Sequence, residues 1–208
     1  MYARVIDELR RAYDGSAAQR DAGEIAPWKQ AERDAFLARL RAAGARRLLE
    51  IGGGPGHHAA WFRDAGLDVV MTDLSPEMVR LARAKGLDAR AMDFLSLDFP
   101  DAEFDAVFAL NCLLHVPKGD LPRVLDAVRR VLRPGGLFYY GVYGGESSEG
   151  VSPNDWHDPP RFFAFYDDDE LLAAVAGHFD LVDFRRVDLP AGERGHFQPL
   201  TLRRPEGG

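Results

Sequence analysis

Cysteine is nearly absent from these 208 residues, with Cys112 standing alone. A single thiol cannot close an intramolecular disulfide, so nothing in the composition asks for an oxidising compartment. Long apolar runs are missing too. None approaches the ~18 residues of a membrane span, and no membrane partner is expected. Positive charge is in deficit, 26 Lys and Arg against 33 Asp and Glu for a formal net charge of −7. A chain this acidic lacks the broad basic footprint of a nucleic-acid binder. The opening stretch Met1-Tyr2-Ala3-Arg4-Val5-Ile6-Asp7-Glu8 mixes charges too early for a signal peptide, and a cytoplasmic protein is the expectation. No internal repeat stands out. What is present, 46% hydrophobic and 28% charged residues, describes one globular domain over 1–208 with a full core.

The most informative segment is Leu48-Leu49-Glu50-Ile51-Gly52-Gly53-Gly54-Pro55-Gly56, an apolar strand running into a glycine turn and then the helical stretch from His57. Glycines serve such a turn because they reach positive φ at little cost and let a ligand approach the backbone. Asp73 follows 21 positions after Gly52, at the end of a second strand-like run Val69-Val70-Met71-Thr72. An acid at that spacing suits a ribose diol. A dinucleotide fingerprint starting at Gly52 would want glycine or alanine at position 57, where His57 stands. Glu50, two residues before the first glycine, would also repel a pyrophosphate. S-adenosylmethionine carries no phosphate, and its ammonium can be served by acids and carbonyls near the turn.

With Glu50, Gly52, Gly54 and Gly56 in this pattern, the sequence resembles the class I S-adenosylmethionine-dependent methyltransferases, closely over residues 45–142 and more loosely out to Arg204. Thr72-Asp73-Leu74-Ser75-Pro76-Glu77-Met78 is similar to the family's second motif, which implies that Asp73 binds both ribose hydroxyls beside Leu74. Ala91-Met92-Asp93-Phe94 looks like the adenine-edge motif; it implies Asp93 as acceptor of the exocyclic amine, with Met92 and Phe94 flanking the ring. Phe104 to Val116 is similar to the fourth-strand motif beneath the transferred methyl, which brings in Asn111, Cys112 and His115. Leu132-Arg133-Pro134-Gly135-Gly136-Leu137-Phe138 resembles the turn into the fifth strand. The resemblance implies S-adenosylmethionine as cofactor, S-adenosylhomocysteine as product, and a Rossmann-like, doubly wound α/β fold. Its sheet would have seven mostly parallel strands with an antiparallel edge strand.

The hydropathy pattern runs in the same direction. Val5, Leu9 and Tyr13 recur at helical spacing, Asp14-Gly15-Ser16 breaks the run, and Trp28–Ala43 forms a second helix. Residues 1–44 are therefore read as an N-terminal helical lid. From 45 to 142 strands (47–51, 68–72, 88–91, 104–110, 136–142) alternate with helices (57–65, 76–85, 120–132), the pattern of a parallel sheet covered on both faces. A Gly, Ser, Asp and Pro rich passage follows. Residues 143–166 are expected to form an acceptor loop and, with residues 13–28, a lid. Residues 167–204 supply a helix near 168–176 and edge strands around 179–187 and 196–203.

Candidate acceptor contacts are the aromatic and imidazole groups of these segments: Tyr13, Trp28, Tyr143, His157, Phe162 and Phe165. His115 is the candidate catalytic residue, as general base or acceptor contact, because an imidazole near neutral pKa suits proton removal; packing or simple hydrogen bonding is the competing reading. Cys112 lacks the Pro-Cys or Thr-Cys context of a cytosine-C5 methyltransferase and reads as a small hydrophobe. The Asn/Asp-Pro-Pro-aromatic motif of amino-methylating base and glutamine enzymes is missing at 111–114. Asp155, His157 and Asp158 read as a solvated turn, with no metal expected, and Asp167-Asp168-Asp169-Glu170 as helix capping. His57 and His58 open the first core helix, with capping, ligand contact and exposure all open. The expected function is methyl transfer to an oxygen, nitrogen or carbon nucleophile of a small-molecule acceptor. A non-catalytic S-adenosylmethionine-binding protein supporting a partner, a tRNA or protein methyltransferase, and a nicotinamide oxidoreductase are the alternatives.

Overall fold

The computed structural model describes residues 2–189 and 195–207. Two helices, α1 (Tyr2–Asp21) and α2 (Pro27–Ala42), precede an alternating core. The core runs β1 (Arg47–Ile51), α3 (His57–Asp64), β2 (Asp68–Asp73), α4 (Pro76–Ala84), β3 (Asp88–Ala91), β4 (Phe104–Leu110), α5 (Leu121–Val131) and β5 (Leu132–Gly144). Then come β6 (Ser148–Val151), β7 (Phe162–Phe165), α6 (Asp168–Ala176), β8 (Asp180–Phe184), β9 (Val187–Asp188) and β10 (His196–Arg203). The sheet order is β3-β2-β1-β4-β5-β10-β8, with β9 paired to β10. The first five strands are parallel, and β10 is antiparallel to both β5 and the edge strand β8. The reversed strand therefore lies one place in from the edge.

Period-2 alternation along each strand divides the core between the two faces of the sheet. Leu49, Val70, Val107 and Tyr140 point to one face, where Leu121, Val124, Leu125 and Val128 of α5 cover them. Leu48, Met71, Phe108 and Tyr139 point to the other, beneath Phe36 and Leu40 of α2 and Ala59 and Phe62 of α3. Fully buried Phe108 stacks on Tyr139 with ring centroids 4.8 Å apart. At about 25 cal/mol per Å² of apolar surface, this two-sided burial is the main support of the sheet.

Three sequence expectations need correction. The Asp14-Gly15-Ser16 break does not occur, and α1 is continuous from Tyr2 to Asp21. Gly15 lies on an open side, where an added Cβ would meet nothing within 4 Å, while Ala12, Ser16 and Ala17 are buried. Asp14 does not turn back on its own backbone as a breaker would. Its carboxylate accepts from Ser75 Oγ at 2.5 Å and from the Glu77 N–H at 3.3 Å. Next, the passage expected as a loop contains an antiparallel pair, Ser148 opposite Phe165 and Val151 opposite Phe162. Last, the strand expected over 179–187 is two, β8 and β9, interrupted at Arg185 and Arg186. Opposite them on β10 sits Pro199, whose carbonyl accepts from the Arg185 N–H at 3.2 Å but which has no N–H to return.

Candidate functional site

The sheet order reverses between β1 and β4, and in such folds the crevice beyond the strand carboxyl ends at that reversal receives ligands. A cavity of about 290 Å³ opens there, bounded by the turn after β1, by Asp73 and Leu74 at the end of β2, by Phe94, by Asn111, Cys112 and His115 after β4, and by α1 and the α1–α2 connection above.

The glycine turn is held by its own geometry. Gly52 sits at φ +63°, and a Cβ there would lie 2.4 Å from Cβ of Cys112. Gly56, at φ +86°, starts α3. The Gly53 N–H donates to the Thr72 carbonyl at 3.1 Å and the Gly54 N–H to Asp73 Oδ2 at 2.8 Å. Asp73 Oδ1 accepts from the Ser75 N–H at 2.9 Å. Burial pushes the Asp73 pKa up, and these two backbone donors oppose the rise. Each of its oxygens retains a lone pair for a ligand hydroxyl.

Around this carboxylate are polar groups without protein partners. Glu50 Oε2, His58 Nδ1 and both amide atoms of Asn111 are buried with no hydrogen bond among the described residues. Burial drives the Glu50 pKa up to about 8 and the His58 pKa down to about 3. Asn111 is also strained, a non-glycine residue at φ +56°, a cost that tends to be retained at functional positions. Buried polar groups left unpaired in a cavity wall can be satisfied by a polar ligand that enters it. Cys112 is not a nucleophile here: its thiol donates to the Ile51 carbonyl at 3.2 Å, and burial pushes its pKa well up.

The opposite end of the cavity is built by side chains. His115, in a short 3₁₀ turn after β4, donates from Nδ1 to the Phe162 carbonyl at 2.7 Å, which leaves Nε2 as the acceptor for the Tyr13 hydroxyl at 2.5 Å. Arg161 Nη1 donates to the same hydroxyl oxygen at 3.1 Å, while its other donors clasp Asp155. Burial, with the nearby charges of Arg161 and Arg20, holds the His115 pKa down at about 3. The expected near-neutral imidazole is therefore absent, and His115 is a neutral, doubly bonded ring.

Among the sequence candidates, Tyr13, Glu50, Gly52, Gly54, Asp73, Leu74, Phe94, Asn111, Cys112 and His115 meet on this one cavity. The others stand apart from its wall. Gly56 supports α3 against Leu87. The Met92 N–H donates to the Asp73 carbonyl, and Asp93 accepts from the Leu95 N–H beside a much smaller cavity shared with Tyr2 and Phe94. Trp28 and Tyr143 pack with Phe197 in a separate aromatic cluster. Phe162 contributes its carbonyl, Phe165 stacks on Phe163 at 5.4 Å, and His157 lies behind Tyr13, bonded to Asp155. Among the described residues no group of three His, Cys, Asp or Glu side chains is placed to hold a metal. Sequence reasoning missed Leu9, Arg20, Glu24, Ile25 and Lys29, which also line the cavity. No local motif marks them, since they reach the site only because α1, the connection after it and the start of α2 fold over it.

Residues 49–140 match a family model described as a methyltransferase domain. The solved structure of 1,6-didemethyltoxoflavin-N1-methyltransferase from Burkholderia thailandensis, with bound 1,6-didemethyltoxoflavin and S-adenosylhomocysteine, is similar over 99% of this chain and 91% of its own, at 25% identity and TM-score 0.75. Residues 49–140 are therefore a methyltransferase domain, and the chain around them shares the fold of an S-adenosylhomocysteine-bound methyltransferase. Curated relatives of this chain include the ubiquinone biosynthesis O-methyltransferase of Xanthomonas oryzae pv. oryzae, 35% identical over 51% of this chain and 46% of the relative. Another is the sterol 24-C-methyltransferase erg6 of Aspergillus fumigatus, 37% identical over 47% of this chain and 27% of the relative. The chain thus spans less than half the length of these curated relatives. The methyltransferase fold described above accounts for the matched segment, which runs from β1 into β5.

Proposed function

We propose that this chain binds S-adenosylmethionine in the β1/β4 cavity and transfers its methyl group to a small-molecule acceptor. The observation that carries the reading is the set of unpaired buried polar atoms on Glu50 and Asn111 beside the backbone-held carboxylate of Asp73. They fit this cofactor. Asp73 suits the ribose diol, Glu50 and Asn111 suit the amino-acid end, and Leu74 and Phe94 offer apolar faces to a base, with Asp93 nearby. When bound, the cofactor supplies an activated methyl group on a cationic sulfur.

The protein's share of the work is alignment and exclusion of water. Residues 1–44 act as the lid: Asp14 ties α1 to the start of α4, and Lys85 bonds both Asp21 and the Pro55 carbonyl at the glycine turn. Residues 143–166 form the acceptor side, where Arg161 and the Phe162 carbonyl hold Tyr13 and His115. With Nδ1 pinned and protonation disfavoured by burial, His115 positions Tyr13 toward the acceptor. Such a pair suits an acceptor whose reacting atom already carries an available lone pair. The Tyr13 ring on the cavity wall, backed by His157, favours a flat or apolar acceptor.

Calorimetric titration with S-adenosylmethionine, and in parallel with NADH, tests the cofactor assignment. The expected result is S-adenosylmethionine binding that Asp73→Ala weakens about a hundredfold, from the loss of charge-assisted bonds to two hydroxyls. Preference for NADH, or equal binding by the variant, would overturn the reading.

A further inference from the structure

Resting on that reading, we propose that Arg20, in the last turn of α1, is the anchor for the cofactor's methionine carboxylate and thereby couples cofactor binding to closure of the lid. The amino-acid end of the cofactor carries one anion among its cations, and the cavity wall is rich in acids, with Glu24, Glu50 and Asp73 all present. A carboxylate entering such a wall needs donors that are both cationic and uncommitted. The glycine turn does not offer them where its donors are accounted for: the Gly53 N–H serves Thr72, the Gly54 N–H serves Asp73 and the Gly56 N–H serves the Gly53 carbonyl. His58 is buried and neutral, and Lys29, besides lying over the rings of Trp28 and Tyr143 at 5.2 and 5.7 Å, has a further partner of its own. Arg20 remains. Its guanidinium lines the cavity, lies 5.1 Å above the Tyr13 ring, and makes no hydrogen bond or ion pair among the described residues. Its backbone carbonyl is 3.4 Å from His57 Nε2, which sets this turn of α1 beside the start of α3, where the helix dipole adds positive potential.

The position has a consequence for the lid. Asp14, Arg20 and Asp21 share the stretch of α1 that faces the cavity and the glycine turn, and Asp14 and Asp21 are already tied down by Ser75 and Lys85. A carboxylate on Arg20 adds a tether that exists only with ligand present. Because the same guanidinium lies over Tyr13, cofactor binding also steadies the acceptor end before an acceptor arrives.

The test is calorimetric titration of the full chain with S-adenosylhomocysteine and with 5′-methylthioadenosine, which keeps the nucleoside and thioether but has no carboxylate. Arg20→Gln is expected to weaken S-adenosylhomocysteine about ten- to hundredfold, the range of a charge-assisted bond, and to leave 5′-methylthioadenosine within about twofold. Arg20→Lys is expected to recover part of the loss. Equal weakening of both ligands would mean that Arg20 only packs the lid, and no weakening of either would mean that it does not meet the ligand; each overturns the assignment. Benzoate, titrated into the S-adenosylhomocysteine complex, distinguishes an acceptor carboxylate: benzoate binding lost in Arg20→Gln, with S-adenosylhomocysteine affinity unmoved, also overturns it. If the unmodified chain fails to bind S-adenosylhomocysteine, the cofactor reading itself falls.

Discussion

At the glycine turn Asp73 is fixed by two backbone N–H groups, those of Gly54 and Ser75, whereas Tyr13 at the other end of the same cavity is fixed by the side chains of His115 and Arg161, 102 and 148 residues away. Backbone donors close to a strand end are rigid because the sheet holds them, and they recur wherever the local chain is the same. Side-chain partners brought in from separate elements depend on each element docking correctly. On the function proposed above, the first end serves the cofactor and the second the acceptor. The difference also predicts how each end fails: substitution at the turn disturbs the fold itself, while substitution at Tyr13 leaves the fold standing.

The largest effect is expected from Gly52→Val. The new side chain meets Cys112 at once and must adopt positive φ, so unfolding in urea is expected to show a loss of about 3 kcal/mol. An unchanged midpoint would mean that the turn is softer than its contacts imply. Glu50→Gln comes next. With its pKa raised to about 8 in the fold, Glu50 is protonated there but ionised in the unfolded chain above about pH 4.5. The sign follows directly: its contribution is fully present below the unfolded pKa and is lost as pH rises toward 8. The variant, which cannot ionise, is expected to be about 1–2 kcal/mol more stable than the parent at pH 8, with the gap closing near pH 4.5. Thermal melts of the ligand-free proteins at both pH values measure this, and a gap that widens in acid would contradict it.

Tyr13→Phe is expected to cost about 1 kcal/mol in unfolding free energy by stripping His115 Nε2 and Arg161 Nη1 of a partner. S-adenosylhomocysteine affinity should stay within about twofold. A large loss of cofactor affinity would show that the two ends are not separable. The smallest effect belongs to Gly15→Ala. On the open side of a continuous helix, alanine is expected to raise stability by about 0.5–1 kcal/mol; destabilisation would argue that the helix does break at Asp14.

Much of the cofactor half was legible in the chain. Strands at 47–51, 88–91 and 104–110 fall where alternation and turn residues put them, and the Asp167 capping box was readable as a short-range pattern. The Tyr13 end resisted for identifiable reasons. Asp14-Gly15-Ser16 has the composition of a breaker, but its alternative hydrogen bonds are made across space to α4. The β6–β7 pair is hidden by Gly, Ser and Pro around it, and by a connection that Asp155 and Arg161 clasp from six residues apart. His115 lies on the cavity wall in an environment unforeseen from sequence, since burial and the charges of Arg161 and Arg20 hold its pKa down. Trp28 and Tyr143 lie off the cavity wall, because Phe197 of β10 draws them into their own cluster.

By itself, then, the sequence determined the parallel core, the glycine turn and the acid that faces it, because these rest on φ preference, period-2 burial and backbone hydrogen bonds within a few residues of each other. Only the tertiary structure decided that α1 crosses the cavity whole, that Arg20 looks into it, and that Tyr13, His115 and Arg161 bond to one another. Those contacts join residues far apart in the chain, and the buried, low-dielectric setting that changes their protonation exists only once the elements have packed.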